Sequence, residues 1–134
     1  YYSFGSGTTA LLEEDLSREV VFNALKERRC YAVTGAPIEM YFSINGQPMG
    51  SIISGEDITE SEIKISVRGR DKLKRVELVK NGKVIEKITN PGRKLEKNII
   101  DDNINQGKDS YYYVKVIQED GEKAWSSPIR TIKF

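Results

Sequence analysis

The chain has 134 residues, 38% of them hydrophobic and 31% charged, and its 21 basic and 20 acidic side chains leave a net charge of +1. A near-balanced, interspersed charge gives no field for nucleic acid or an anionic membrane, and no apolar run approaches the roughly 18 residues of a membrane span. Histidine is absent, which removes the commonest transition-metal ligand and general base, and with it the Ser–His and Cys–His nucleophile systems. Cys30 is the single cysteine, so neither an internal disulfide nor a Cys-rich zinc site is available, and cytoplasm and periplasm both stay open.

In chain order, Tyr1-Tyr2-Ser3-Phe4-Gly5-Ser6-Gly7 forms a turn-rich lead. Its aromatics need something to pack on, either as a locally docked tail or as a segment severed from a larger domain. Residues 17–30 read as an amphipathic helix. Ser17 suits the N-cap, Glu19 the first turn, and Lys26, Arg28 and Arg29 the C-terminal end. Val21, Ala24 and Leu25 recur at helical spacing beside Phe22, one apolar stripe that needs a partner surface and offers a route to homodimerisation. Tyr31-Ala32-Val33-Thr34 has strand character and Gly35-Ala36-Pro37 breaks it. That break divides the chain into a helical lead-in over residues 1–36 and a second domain over residues 37–134.

From residue 38 the period becomes two. Ile38, Met40, Phe42 and Ile44 alternate with Glu39, Tyr41 and Ser43 before an Asn45-Gly46 turn. Ile63, Ile65 and Val67 continue the pattern, and residues 73–80 and 83–89 flank Asn81-Gly82, a hairpin signal. A weaker strand covers residues 95–101. Tyr112, Val114 and Val116 share a face in the next, and Asp120-Gly121 turns the chain towards a last strand at 129–134. About seven short strands with regular turns predict a mainly β fold. The expected form is an antiparallel β-sandwich of immunoglobulin or fibronectin III kind, preceded by one α-helix. Tyr112 sits where a tyrosine corner would bond its hydroxyl to nearby backbone, or where a plain core tyrosine would pack.

Few constellations carry chemistry. There is no GxxxxGK[ST] and no GxGxxG. Asp101, Asp102 and Asp109 lack the spacing of a calcium loop and read as a solvated turn. Glu13-Glu14-Asp15 fits helix N-terminal electrostatics. Arg68, Arg70, Lys72, Lys74 and Arg75 read as a solvated hairpin tip, because nucleic-acid binding wants interleaved aromatics and a basic balance. Cys30 follows two arginines that would lower a thiol pKa, but a buried inert cysteine is the simpler reading. Trp125 is either core packing or a stacking platform. With Tyr41, Tyr111 and Tyr113 it forms the set of candidate ligand contacts for a binding module that takes carbohydrate or protein. No residue is assigned a catalytic, cofactor-binding or metal-ligating role.

One string stands apart. Ser17-Arg18-Glu19 followed by Phe22-Asn23-Ala24-Leu25-Lys26-Glu27-Arg28-Arg29-Cys30-Tyr31-Ala32-Val33-Thr34-Gly35-Ala36 resembles the end of the catalytic barrel in PHP-type (polymerase and histidinol phosphatase-like) metallohydrolases, in their carbaryl-hydrolase-like bacterial branch. Phe42 to Gly50, Tyr111 to Val116 and Gln118 to Ile129 are similar to segments that follow it there. The resemblance implies that this chain is a non-catalytic C-terminal β-sandwich packed on such a barrel, in bacterial cytoplasm or periplasm. It implies a parent that hydrolyses phosphoesters or related esters with bound Zn, Mn or Fe. The family's His-rich metal motifs have no counterpart here, so no metal or catalytic role transfers to any residue. Val33 stands where the family's string often has Thr, which weakens any role for that strand.

Overall fold

A computed structural model describes residues 2–4, 7–11, 30–34, 38–55, 60–102 and 109–133. The described residues form eleven strands: β1 Tyr2–Phe4, β2 Gly7–Leu11, β3 Cys30–Val33, β4 Glu39–Ile44, β5 Gln47–Pro48, β6 Ile52–Gly55, β7 Ser61–Lys80, β8 Lys83–Asp101, β9 Asp109–Gln118, β10 Lys123–Ser126 and β11 Ile129–Lys133. They belong to one curled sheet in the order β1-β2-β3-β10-β9-β7-β4-β5, with β8 on β7 and β6 on β11. All the ladders are antiparallel except β6 on β11, which is parallel.

The mainly β expectation is met. Residues 17–29 of the expected helix lie outside the described residues, and Cys30, its expected last residue, opens β3. No helix occurs among the described residues. In the lead, Tyr2–Phe4 pairs with β2 and β2 pairs with β3, and Gly5 and Ser6 lie outside the described residues. The junction at residues 35–37 also lies outside the described residues.

The predicted strands from residue 38 onward are all present, some fused into longer ones. Residues 61–68 and 73–80 are two halves of β7, and 83–89 and 94–101 are two halves of β8. The halves part at a register break between Arg68 and Leu73. Before the break β7 pairs with β4, and after it with β9. The Asn81-Gly82 turn has φ of 51° and 83°, the left-handed pair that a two-residue hairpin requires and that Asn and Gly tolerate best. Asn81 Oδ1 then accepts a 2.9 Å bond from the Tyr111 N–H, tying the hairpin tip to β9.

Period two sorts the side chains. Met40, Phe42 and Ile44 face Val67, Ile65 and Ile63 across the β4–β7 ladder. Val76 and Leu78 face Val116 and Val114 across the β7–β9 ladder. Both sets belong to one buried core with Tyr112, Ala124 and Ile129. Full burial of a Val, Leu, Ile or Phe side chain stabilises by about 1.5–3 kcal/mol relative to exposure, so this face holds the curl closed.

Candidate functional site

Alternation on β9 places Tyr112, Val114 and Val116 inward, and Tyr111, Tyr113 and Lys115 on the opposite, outer face. Cross-strand partners share a face. Tyr111 therefore lies beside Arg130 of β11, Tyr113 beside Val79 of β7, and Lys115 between Glu77 and Trp125. Trp125 is diagonal to Tyr113, within reach of a large ring. Tyr111 is 47% exposed, while Tyr113 and Trp125 are half-buried. The Arg130 guanidinium stacks 5.6 Å from the Tyr111 ring centroid, and its Nε donates to Asp109 Oδ2 at 2.8 Å. That hydrogen bond, reinforced by the Asp109 charge, raises the Arg130 pKa. Three of the four candidate aromatics thus share one patch.

Tyr41 does not join them. It lies on β4 opposite Ser66 and is 45% exposed. Its neighbourhood is a groove of two adjoining depressions, about 430 and 670 Å³, that share Glu39, Arg68 and Lys94. Tyr31 and Tyr41 line the first, and Arg70 and Arg93 the second. Neither depression is lined by Tyr111, Tyr113 or Trp125.

The polar residues read as solvated divide in two. Asp101 is not part of a solvated turn. Its Oδ2 accepts from Lys80 Nζ at 2.6 Å and from the Tyr112 hydroxyl at 2.6 Å. Lys80 and Asp101 side chains are only 9% and 12% exposed, and Tyr112 is fully buried. Tyr112 therefore bonds a carboxylate rather than backbone. Burial, then the bond to Asp101, pushes its phenol far above the ordinary value of 10.0. A carboxylate this enclosed needs the pairing, because an unpaired charge so far out of solvent is costly. Asp102 is exposed, and Asp109 pairs with Arg130. The basic stretch at 68–75 is a bend within β7, not a hairpin tip, and Arg75 there is 2.7 Å from Glu77. Cys30 is half-buried, with Sγ 3.7 Å from Ser127 Oγ.

Among the described residues, no group of three or more His, Cys, Asp or Glu is placed to hold a metal ion. What the outer patch offers is contact area: two phenols, an indole and a guanidinium held in place.

No family model matches the chain. No solved structure matches it. The chain is similar to uncharacterised proteins of Chlamydia muridarum (32% identical), Chlamydia trachomatis (31%) and Chlamydia pneumoniae (33%), each match covering 94% of this chain. It spans only 22%, 22% and 23% of their respective lengths. These findings overturn the resemblance to PHP-type metallohydrolases, since no PHP model matches and the relatives are described only as uncharacterised. The physical reason lies in the strings themselves. Cys30–Val33 is a strand between β2 and β10, and the segments at 42–50 and 111–129 are strand alternation and tight turns, features that any antiparallel sheet supplies.

Proposed function

We propose that the chain is a non-catalytic, immunoglobulin- or fibronectin III-like β-sandwich module that binds a protein partner through the outer face of β9 and β10. The sandwich reading is supported by the break in β7, which separates a β4–β7–β8 ladder from a β8–β7–β9 ladder whose inner residues share one core. The observation that carries the binding reading is the convergence of Tyr111, Tyr113, Trp125 and Arg130 on one face. Tyr, Trp and Arg dominate the energetics of protein interfaces. A protein partner fits better than a carbohydrate, because small ligands favour concave sites and both depressions lie away from the patch.

The test is selection of a displayed protein-domain library on the 134-residue chain, followed by affinity measurement against Tyr111→Ala, Tyr113→Ala and Trp125→Ala. Recovered binders should lose roughly tenfold or more in affinity with at least one substitution, and a glycan panel should retain nothing. Binders indifferent to all three changes would remove the reading. Glycans retained through Trp125 would replace the protein partner with a carbohydrate.

A further inference from the structure

The groove beside Tyr41 lies on a different surface and does not depend on the reading above. Across three strands, Glu39 of β4 faces Arg68 of β7, and Arg68 faces Lys94 of β8. Like charges placed directly opposite are destabilising in a sheet, yet Arg68 and Lys94 are so placed and Arg70 and Arg93 line the same 670 Å³ depression. Lys94 has Glu96 at 3.3 Å. Among the described residues, Arg68, Arg70 and Arg93 have no side-chain ion pair.

The backbone beneath these cations is firmly fixed. Gln118 is fully buried, and its Oε1 accepts from the Arg70 N–H at 2.9 Å and the Asp71 N–H at 3.3 Å. Its Nε2 donates to Asp120 Oδ1 at 3.1 Å, and the Glu119 N–H bonds Lys72 O at 2.9 Å. Gly69 makes the bend possible: a Cβ there would meet Asp71 O at 2.6 Å and Gln118 Oε1 at 2.7 Å. In β8 the matching bend uses Asn90 and Gly92, with φ of 52° and 93°. The clamped bend in β7 and the facing bend in β8 thus place three guanidinium groups without ion partners, and the Lys94 ammonium beside Glu96, around one concavity that the Glu39 carboxylate also lines.

We propose that this concavity is a binding site for oligophosphate groups, with Arg68, Arg70, Arg93 and Lys94 sharing their oxygens. Guanidinium forks match phosphate oxygens in pairs. Adjacent strands lie about 4.8 Å apart, and the four cations line one depression, an arrangement that suits a ligand with several negative charges close together. Glutamates of an extended peptide project to one side only at every second residue, roughly 6.6 Å apart, a poorer match.

Isothermal titration calorimetry of the 134-residue chain with inorganic triphosphate at low salt tests this. The proposal expects saturable one-to-one binding that weakens as salt rises. Arg70→Gln/Arg93→Gln should weaken it at least tenfold. Lys83→Gln/Lys87→Gln, which removes the same charge from the far end of β8, should change it less than twofold. All four side chains are exposed, and circular dichroism would confirm folding. No saturable binding, equal losses in the two double variants, or tighter binding of hexaglutamate than of triphosphate would each overturn the assignment.

Discussion

β8 and β9 both run antiparallel to β7, yet every second residue of β9 from Ser110 to Gln118 is buried and no residue of β8 is. The difference lies in their neighbours. β9 has β7 on one side and β10 and β11 on the other, while among the described residues β8 pairs with β7 alone. A strand flanked on both sides presents its two faces and no edge. A strand flanked on one side leaves a row of unpaired backbone groups, which proteins protect with lysines and bulges. β8 has Lys83, Lys87, Lys94 and Lys97 and register shifts in its pairing with β7. Burial on this sheet therefore follows position in the order, and the surfaces available for recognition follow from it: a firm outer face on β9, and a charged bend where β8 meets β7.

Asp101, at the end of β8, is the exception that sharpens the contrast. Asp101→Ala leaves Lys80 buried without its carboxylate and should cost about 3–5 kcal/mol in urea unfolding, whereas Asp102→Ala next door should stay within about 0.5 kcal/mol. Tyr112→Phe removes a hydrogen bond to a charged group and should cost about 1.5–3 kcal/mol. The same phenol gives a pH signature. Its folded pKa lies above its unfolded value of 10.0, so its contribution is fully present below about pH 10 and is lost as pH rises towards the folded value. Wild type should lose more stability above about pH 10 than Tyr112→Phe does. Gly69→Ala forces a Cβ against backbone and should cost about 1–3 kcal/mol while weakening triphosphate binding. Smallest of all, Ile100→Ser on β8, where the side chain is 63% exposed, should change stability by no more than about 0.5 kcal/mol.

Much of this pattern is legible in the residues. Asn45-Gly46 and Asn81-Gly82 mark hairpins because few other pairs accept two left-handed positions, and the period-two runs from Ile38 to Ile44 and Tyr112 to Val116 identify buried faces. β5 and β6 escape such reading because they are two and four residues long and carry Pro48 and Gly55. Asp101 reads as solvent-facing because its partners Lys80 and Tyr112 are 21 and 11 residues away in sequence. Gln118 acts on residues 70 and 71, 48 and 47 positions earlier, and nothing local announces it. The groove is partly legible as well. Pairing β7 with β8 outward from Asn81-Gly82 brings Arg68 and Arg70 close to Arg93 and Lys94, but the register shifts along the ladder spoil the count by a residue or two. The aromatic face was legible residue by residue, and its grouping required knowing which strands flank β9.

Trp125 is the only tryptophan in the chain, so its emission reports on the outer face of β9 and β10 and nowhere else. The most direct measurement is acrylamide quenching of Trp125 while the chain is titrated with a display-selected protein binder. The account predicts a saturable blue shift and loss of quenching, both abolished by Tyr113→Ala. A binder that saturates the chain and leaves Trp125 as accessible as before would contradict it.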